Sequence, residues 1–372
     1  MKKHTVFALA STFFILSIST VITHAQVADL SISARSAALY QPETDIFLYS
    51  KNADARLPMA STTKIMTAIV ALENAEIDEI VTIGEESVGV EGSSAYLRVG
   101  ERLTMEELIY ALLLQSANDA AVAIAYHIGG DVEGFADMMN EKALDLDLSD
   151  TNFTNPHGLD DPQHYTTAKD LAKIAAEGLK NETFRQIVSC YKKTFANDDR
   201  SRTYVNHNKL LRLYEGCIGV KTGFTKKCGR CLVGASQRDG LTFISVTLNA
   251  PSDWSDHKKM LDFGYDKLER IDFTSKNEHN YEIPVIDGTS DSVSVTNQEH
   301  TYIITEKGEH IYDEHIKVLR YAIAPIEKGE ILGEIIYTLD GKEVARVPLV
   351  AEKSVEKQKE KGFLHKILSI FI

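Results

Sequence analysis

The sequence has no excess of basic residues. Its 40 lysines and arginines are outnumbered by 54 aspartates and glutamates, which gives a formal net charge of −14. Such an acidic balance argues against a nucleic-acid-binding surface and favours solubility. Hydrophobic residues make up 44% of the chain and charged residues 25%, as in ordinary folded proteins. The length of 372 residues predicts one large domain or two of moderate size.

Long apolar runs are also scarce, and the most prominent one lies at the N-terminus. It extends from Val6 to Ile22 behind Lys2 and Lys3. Thr23-His24-Ala25 then places small residues where a signal-peptide cleavage site needs them, so we predict a signal peptide over residues 1–25. An uncleaved membrane anchor is the alternative. Serines and threonines dilute the run and favour cleavage, so we expect an exported chain that begins at Gln26.

Cysteine is rare, with four residues at positions 190, 217, 228 and 231. An even number in an exported chain permits two disulfides in three pairings, among which the sequence does not choose. Cys228-Gly229-Arg230-Cys231 could also be half of a zinc site or a redox pair. Because the other two cysteines are far apart and form no second pair motif, we predict ordinary thiols and no bound metal.

The first of three short polar patches opens an apolar segment. Ser61-Thr62-Thr63-Lys64 is followed by apolar residues from Ile65 to Leu72, a pattern that predicts a helix buried in a large core. Ser61 could simply cap that helix. Lys64 weakens this interpretation, because residues i and i+3 share a helix face and a lysine in an apolar helix needs a purpose.

The second patch is Ser116-Ala117-Asn118. A capping box at Thr104–Glu107 opens a helix that we expect to end near Gln115, and a further helix is predicted from about Asp119. The patch would therefore lie at a helix break, where polar side chains can project into a cleft. Two ordinary capping residues are the simpler interpretation of this patch taken alone.

The third patch, Lys221-Thr222-Gly223, lies in a segment with the character of a β-sheet. Strands are predicted there at Ile218–Val220, Cys231–Ala235 and Thr242–Leu248, with a hairpin turn at Asp239-Gly240. Two further strands are predicted near the N-terminus, at Ala38–Tyr40 and Ile46–Tyr49. A helix from about Ser252 to Tyr265 is expected to return along the sheet.

Together the patches contain the groups that acyl transfer needs. The Ser61 hydroxyl becomes a nucleophile when Lys64 removes its proton, which requires a neutral amine. Burial and a nearby cation such as Lys221 would both disfavour the ammonium form. Ser116 could pass the proton to a leaving amine, and Asn118 could hydrogen-bond the substrate amide.

The strand patch is suited to a substrate carboxylate. Lys221 and Thr222 offer a positive charge and a hydroxyl, while Gly223 leaves room for substrate backbone along the strand. The backbone N–H groups of Ser61 and Phe224 are candidates for an oxyanion hole.

Two histidines flank the loop that follows the predicted helix over Phe135–Leu144. His157 lies in the turn Asn155-Pro156-His157-Gly158, and His164 precedes a capped helix that opens at Thr167. Neither histidine has metal-ligand spacing with a partner, so we assign structural roles to both.

The composition changes near Thr274. Beyond it, short alternating strands such as Ile331–Leu339 predict a small all-β domain over residues 275–351, with no catalytic constellation. Residues 352–372 carry five lysines around apolar positions 363, 364, 367, 368 and 371, which share one helical face. This tail predicts an amphipathic helix on an anionic membrane surface, or else a terminal helix docked on the protein itself.

The three patches, in this order behind an export signal, resemble those of the serine-type D-alanyl-D-alanine carboxypeptidases, the low-molecular-mass penicillin-binding proteins. The resemblance covers about residues 28–270, and less closely the remainder. It rests on the stretches Leu57–Lys64, Gln115–Ala121, Asn155–Leu159, His164–Ala168 and Gly219–Thr225. It implies an α+β fold of the β-lactamase and transpeptidase type over residues 26–274, with a helical cluster on an antiparallel sheet. A small all-β domain and a C-terminal amphipathic helix would follow.

The resemblance also implies an activity. It is the removal of the terminal D-alanine from peptidoglycan stem pentapeptides ending in D-Ala-D-Ala, with β-lactam antibiotics as covalent inhibitors and no cofactor. Site roles carry over residue by residue: Ser61 as nucleophile, Lys64 as base, Ser116 as proton relay, Asn118 as substrate contact, and Lys221 with Thr222 as carboxylate site. The enzyme is expected on the outer face of the cytoplasmic membrane, without a nucleic-acid partner.

Two departures and two alternatives accompany this interpretation. Some relatives carry an arginine where this chain has Asn206-His207-Asn208, and the Cys228/Cys231 pair lies close to the catalytic strand. A class A β-lactamase would need a deacylating glutamate, which the loop from Asn152 to Thr167 lacks, and usually has aspartate in place of Ala117. A wall-binding protein without activity would not need all three patches intact.

Overall fold

The structure, a computed structural model, describes residues 30–196 and 201–359. They divide into two compact units, one ending at Leu268 and one beginning at Glu269. The predicted signal peptide (residues 1–25) and residues 360–372 of the predicted tail lie outside the described residues. The fold class is α+β, as predicted.

The N-terminal unit combines helices with an antiparallel sheet. Its strands are β1 (Ser36–Gln41), β2 (Ile46–Lys51), β3 (Ile80–Thr82), β4 (Arg102–Thr104), β5 (Lys192–Ala196), β6 (Ser201–Val205), β7 (Cys217–Thr225), β8 (Gly229–Arg238) and β9 (Leu241–Leu248). Its helices are α1 (Lys64–Asn74), α2 (Met105–Tyr110), α3 (Asn118–Gly129), α4 (Val132–Asp145), α5 (Ala168–Lys180), α6 (Glu182–Ser189), α7 (Leu210–Leu213) and α8 (Asp253–Lys267).

The main sheet has five strands in the order β2-β1-β9-β8-β7. Every residue of β9 is buried because α5 and α8 both pack against this strand. Burial on both faces explains why the strand contains no charged residue and why its polar positions, Thr242, Ser245 and Thr247, have small hydroxyl side chains. The predicted hairpin turn between β8 and β9 is present, with positive φ angles of 50° at Asp239 and 72° at Gly240.

Helix α1 is the centre of the helical cluster. It packs against α3, α4 and α5, and its residues from Lys64 to Ala71 are all buried. This agrees with the apolar pattern of its sequence. The start differs from the expectation, since Ser61 lies in a 3-10 turn (Ala60–Thr63) and the α-helix begins only at Lys64.

The predicted helix break is present. Thr104 caps α2 by accepting the Glu107 N–H at 3.1 Å, and the helix continues as a π-helical stretch from Ala111 to Gln115. Ser116 then adopts a left-handed conformation with φ 63°, and α3 begins at Asn118. The residue at the break therefore redirects the chain as well as carrying a hydroxyl.

Several elements of this unit escaped the sequence analysis, among them the short strands β3 and β4 and the short helix α7. Helix α6 is only eight residues long, and the β5–β6 hairpin is mostly exposed. A helix of eight residues has only about two turns and a polar hairpin lacks a clear apolar face, so both depend on packing against the larger elements.

The C-terminal unit is all β. Its strands are β10 (Leu268–Thr274), β11 (Asn280–Ile286), β12 (Ser292–Asn297), β13 (Thr301–Glu306), β14 (Tyr312–Val318), β15 (Ala322–Ile323), β16 (Ile331–Leu339) and β17 (Lys342–Ala351). Six of them form a sheet in the order β14-β16-β17-β12-β11-β15, and β10 pairs with β13. The unit has its own core, which includes Ile283, Val293, Val295, Ile335 and Leu349.

Both ends of this unit extend beyond the composition change that marked it in the sequence. It begins at Glu269, ahead of the predicted position near Thr274, because β10 belongs to it. It also continues past residue 352, since Val355 is buried and bridges to Ile326, and Lys357 bridges to Gly288. Within residues 30–196 and 201–359, no helix is long and apolar enough to cross a membrane.

Candidate active site

The nucleophile candidate lies on a strained turn. Ala60, directly before Ser61, has a left-handed φ of 49°, which is unfavourable for a residue with a Cβ. Two hydroxyls hold the turn: Thr62 Oγ1 donates to the Met59 carbonyl at 2.6 Å and Thr63 Oγ1 to the Ala60 carbonyl at 2.8 Å. The turn leaves Ser61 half-buried rather than folded into the helix.

Lys64 directs its amine at Ser61. The side chain is completely buried, and its Nζ lies 3.1 Å from Ser61 Oγ, 2.7 Å from Asn118 Oδ1 and 2.6 Å from the His157 carbonyl oxygen. The sequence predicted the Ser61–Lys64 pairing from their spacing. The two further acceptors come from segments that only the fold brings together.

The surroundings of Lys64 favour its neutral form. Burial lowers the pKa of Lys64 well below its usual value, and the charge of Lys221 lowers it further, while Asp119 opposes both effects. A neutral amine has two N–H donors and one lone pair. Asn118 Oδ1 and the His157 carbonyl can only accept, so they take the two donors and leave the lone pair for the Ser61 hydroxyl proton.

Asn118 occupies the first turn of α3, where its amide is already engaged. Oδ1 accepts from Lys64, and Nδ2 donates to the Glu91 carbonyl at 2.5 Å. Gly92 lies so close that a Cβ there would be 2.7 Å from Asn118 Nδ2. Asn118 therefore positions Lys64, and its second amide hydrogen is the part available to a substrate.

The neighbouring Asp119 organises the loop in front of α3. Its carboxylate accepts the backbone N–H groups of Ala95 and Leu97 and the hydroxyl of Ser94, at 2.6–3.1 Å. This buried carboxylate was not among the predicted site residues. It fixes the loop from which the Ser93 carbonyl accepts the Asn118 N–H at 2.7 Å.

Ser116 is buried, at 5% exposure, at the break between the π-helical stretch and α3. A single residue separates it from Asn118, which accepts a hydrogen bond from Lys64. Ala117, between them, is completely buried and belongs to the hydrophobic core. The core thus anchors the break on which both polar residues lie.

Strand β7 carries the third patch against the Ser61 turn. A Cβ on Gly223 would lie 3.1 Å from Ser61 N, Thr62 N and the Met59 carbonyl oxygen, so glycine permits this close approach. Lys221 is 1% exposed, and burial lowers its pKa to about 7. Thr222 is half-buried, and Phe224 is exposed at the end of the strand. The two predicted oxyanion donors, the N–H groups of Ser61 and Phe224, therefore lie on adjacent segments.

The segment Asn206-His207-Asn208 places a histidine near Lys221. Burial and the Lys221 charge lower the pKa of His207. Asn206 and Asn208 have structural contacts: Asn206 Nδ2 donates to the Val188 carbonyl at 3.0 Å, and Asn208 Oδ1 accepts the Leu210 N–H at 3.0 Å.

The loop from Phe153 to Thr166 contributes more than its sequence indicated. His157 supplies a backbone carbonyl to Lys64, and the Pro156 carbonyl accepts Thr67 Oγ1 at 2.6 Å. His164 is buried, with Nε2 at 2.7 Å from Thr63 Oγ1. Burial lowers the pKa of His157 to about 3 and that of His164 to about 4, so both rings are neutral near pH 7.

Cys228 and Cys231 are free thiols that lie behind the turn Ala60–Thr63, called the nucleophile turn below. Their sulfur atoms are 3.1 Å apart, and Cys228 Sγ donates to the Pro58 carbonyl at 2.9 Å. Cys190 and Cys217 are free thiols as well. In the described part of the chain, no group of three or more histidine, cysteine or acidic side chains could hold a metal ion.

This arrangement defines a class of protein. A serine and a buried lysine on one turn, a hydroxyl-amide helix break and a basic strand, placed in an α+β fold, characterise the serine enzymes that form acyl intermediates and recognise penicillin.

Comparison with known proteins identifies the family within that class. The chain belongs to the D-alanyl-D-alanine carboxypeptidase family, whose sequence profile matches residues 21–252. The profile of the penicillin-binding protein 5 C-terminal domain matches residues 269–357. The chain is thus a serine-type peptidase with D-Ala-D-Ala carboxypeptidase activity, and penicillin binding is typical of its family.

Individual relatives span most of the chain. D-alanyl-D-alanine carboxypeptidase DacF of Bacillus subtilis is 34% identical over 343 residues, covering 89% of this chain and 88% of the relative. Penicillin-binding protein 5 of Haemophilus influenzae has a similar solved structure, with a TM-score of 0.65 and 29% identity over 89% of this chain and all of that one. The Streptomyces K15 DD-transpeptidase matches with a TM-score of 0.60 and 36% identity, covering 63% of this chain and 97% of that one.

Proposed function

We propose that Ser61 is the nucleophile of this carboxypeptidase and Lys64 its general base, acting on peptidoglycan stem peptides that end in D-Ala-D-Ala. The observation that carries the proposal is the set of three contacts at Lys64 Nζ. Two acceptors orient the N–H groups, so the remaining lone pair points at the Ser61 hydroxyl.

In the acylation step, Ser61 Oγ attacks the carbonyl carbon of the penultimate D-alanine while its proton moves to Lys64 Nζ. The N–H groups of Ser61 and Phe224 stabilise the oxyanion. Ser116 relays the proton to the leaving nitrogen, the C–N bond breaks, and free D-alanine departs. Water then attacks the Ser61 ester and releases the shortened peptide, which restores the serine hydroxyl.

Binding relies on the other polar groups of the site. Asn118 uses its second amide hydrogen on the substrate, and Gly223 lets substrate backbone run along β7. Lys221 and Thr222 bind the terminal carboxylate. Since burial lowers the pKa of Lys221 to about 7, an arriving carboxylate stabilises the ammonium form and draws a proton to this lysine.

The direct test is release of free D-alanine from a pentapeptide ending in D-Ala-D-Ala. The native protein should release it, and Ser61→Ala should not. Ser189→Ala removes an exposed hydroxyl at the end of α6 and serves as the matched control with native activity. Absence of release by the native protein would overturn the proposed reaction, and release by Ser61→Ala would overturn the assignment of the nucleophile.

Penicillin provides a second, independent test. The same Ser61 hydroxyl should open the β-lactam ring, giving a covalent adduct that mass spectrometry places on the peptide containing Ser61. A persistent adduct agrees with a carboxypeptidase, whereas rapid turnover of penicillin would favour the β-lactamase alternative.

We further propose that the chain is exported after cleavage behind Ala25 and is held on the outer face of the cytoplasmic membrane by its tail. The support is the sequence pattern, in which lysines accompany a single apolar face. Because Val355 and Lys357 contact the β unit, only residues 360–372 should be deleted. Deletion should shift the protein from the membrane fraction to the soluble one.

A point variant sharpens this test. Leu368→Glu puts a charge on the apolar face and should release the protein, whereas His365→Glu adds the same side chain elsewhere on the helical projection and should not. Equal fractionation of both variants would contradict attachment through the apolar face.

A further inference from the structure

His164 connects the Phe153–Thr166 loop to the nucleophile turn through its ring. Nδ1 lies 3.0 Å from the Thr154 backbone nitrogen, and Nε2 lies 2.7 Å from Thr63 Oγ1. The ring also packs edge-on against Phe153, with 5.8 Å between the centroids. The side chain is only 3% exposed, so water does not compete for these contacts.

These contacts determine which ring nitrogen carries the proton. A backbone N–H can only donate, so Nδ1 must accept from Thr154 and the proton of the neutral ring lies on Nε2. Nε2 therefore donates to Thr63 Oγ1. The single hydroxyl hydrogen of Thr63 is then free for the Ala60 carbonyl, 2.8 Å away. The chain of hydrogen bonds has one direction, from Thr154 through His164 and Thr63 to Ala60.

The chain ends on the strained residue next to the nucleophile. Left-handed backbone at a residue such as Ala60 is strained and persists only where the surroundings enforce it. The bond from Thr63 to the Ala60 carbonyl is one such restraint. Its strength depends on His164, because a hydroxyl that accepts a hydrogen bond donates more strongly.

We propose that His164 is a positioning residue for catalysis: through Thr63 it holds the Ala60–Ser61 backbone so that Ser61 Oγ stays within reach of Lys64 Nζ. This deepens the function proposed above and rests on Ser61 as the nucleophile. His164 does not touch the substrate. Displacing a reacting group by about 1 Å can cost on the order of a hundredfold in rate, so the loss of this restraint affects the rate more than substrate binding.

The structure offers a matched control in His257. Its side chain is also buried, and a hydroxyl group lies at each ring nitrogen. Nδ1 is 2.7 Å from Ser245 Oγ, and Nε2 is 2.9 Å from Thr247 Oγ1. It connects α8 to β9 and makes no contact with the nucleophile turn among these bonds. A purely structural role for His164 would make both histidines behave alike on substitution.

The experiment measures acylation of the full-length protein by penicillin, separating the rate at saturation from the dissociation constant, together with thermal stability. Thr63→Val and His164→Asn should each lower the saturating rate about 10- to 100-fold with little change in binding. Thr63→Ser keeps the hydroxyl and should retain the native rate. The double variant should be no slower than the worse single variant, because both changes break one chain of bonds.

Two further variants separate positioning from stability. His164→Gln can keep a donor near Thr63 but loses the Thr154 acceptor, so it should acylate faster than His164→Asn. His257→Asn should lower the melting temperature while the acylation rate stays native. A native rate in Thr63→Val, an additive double variant, or an equal rate loss in His257→Asn would overturn the proposal.

Failure of the proposed function would look different. In that event the native protein itself would form no adduct on Ser61, whatever residue occupies position 164. If native protein acylates and the Thr63 and His164 variants acylate equally well, only the positioning role is refuted.

Discussion

At the scale of single residues, the surroundings of Lys64 lower its pKa well below the usual value for lysine. Lys64 is completely buried, and Lys221 adds a second positive charge nearby. Both effects penalise the ammonium form, as the proposed role of Lys64 as a base requires. The two carbonyl acceptors at Lys64 oppose this shift, because accepting hydrogen bonds from an ammonium group favours the charged form. Desolvation is the larger effect, and the pKa of Lys64 falls.

Lys64→Arg tests whether the proton must leave this side chain. Arginine keeps the length and donors of lysine but does not lose its proton in proteins. Acylation by penicillin should fall by about 10²- to 10⁴-fold, the usual contribution of a general base. Lys142→Arg, at a partly buried lysine paired with Glu73 and Glu177, should acylate at the native rate. Comparable acylation by both variants would contradict the base assignment.

Asn118→Asp tests the electrostatics by reversing them. A carboxylate 2.7 Å from Lys64 Nζ would stabilise the ammonium and raise the pKa of Lys64. Because only the neutral amine is a base, the acid limb of the pH–rate profile should move to higher pH. Asn140→Asp, which contacts Phe153 instead, should leave the profile in place. A profile that shifts equally in both variants would rule out a local effect on Lys64.

At the scale of secondary-structure elements, glycines on neighbouring segments let backbone pack closely against the nucleophile turn. Gly158, in the loop after α4, has a φ of 85°, and a Cβ there would lie 2.0 Å from the Ala60 carbonyl oxygen. Gly223 on β7 likewise allows close backbone approach, since a Cβ there would lie 3.1 Å from Ser61 N. Backbone therefore encloses the turn on both sides. This packing restrains the backbone of Ser61 independently of the contact that its side chain makes with Lys64.

Gly158→Ala should consequently damage both stability and acylation. It combines an unfavourable φ with a backbone collision, and we expect a loss of about 3 kcal/mol or more in the free energy of unfolding. Gly130→Ala isolates the cost of the unfavourable φ from that of the collision. The φ of Gly130 is 81°, and nothing lies within 4 Å of the added Cβ. It should cost only about 1 kcal/mol and leave acylation native. Urea unfolding measures the difference, and equal losses would contradict the close-approach argument.

At the scale of the whole molecule, three neutral histidines, of which two are buried and His157 is half-buried, make stability depend on pH on the acid side. Burial lowers the pKa of His157 and His257 to about 3 and that of His164 to about 4, from 6.5. Lys64 reinforces the shift at His157 and His164, and Asp161 opposes it at His164. Since the unfolded chain binds these protons first, stability is complete above about pH 6.5 and falls as the pH drops towards the folded values.

The His257→Gln variant isolates one of these contributions. Each depressed histidine adds up to about 1.4 kcal/mol per pH unit to the slope of the unfolding free energy below about pH 6.5. Removing His257, which lies in the helix–sheet interface away from the nucleophile turn, should reduce the slope by about that amount. Urea titrations from neutral to acid pH measure it, and an unchanged slope would show that His257 is not buried as a neutral ring.

The two units should be separable. Each has its own hydrophobic core, and the Streptomyces K15 relative aligns over 97% of its length while covering 63% of this chain. We expect residues 26–268 alone to fold cooperatively and to acylate within about twofold of the full-length rate. Calorimetry and the penicillin assay check this, with Ser61→Ala in both lengths as the control. An unfolded or inactive fragment would show that the catalytic unit depends on the β unit.

How much the sequence could predict varies with the range of the interaction. The pairing of Ser61 with Lys64, the helix break at Ser116 and the β8–β9 turn follow from spacing along one segment, and the structure contains all three. Helix α6 did not follow because it is only eight residues long, and the β5–β6 hairpin and the start of the β unit at Glu269 did not follow because their local patterns are weak. The sequence predicts only structural roles for His157 and His164, because it contains no information on which groups their ring nitrogens face.

The sequence by itself determined the chemical groups of this protein and their order: a hydroxyl and an amine on one turn, an amide at a helix break, and a basic strand with a glycine. These depend on local spacing, which backbone geometry translates directly into a shared face or a turn. Only the tertiary structure decided that Lys64 is fully buried and that the His157 carbonyl accepts a hydrogen bond from its amine. It also placed His164 on Thr63, across a loop. Desolvation and contacts between distant segments arise from packing, and they are what lower the pKa of a lysine next to a serine, as the proposed base requires.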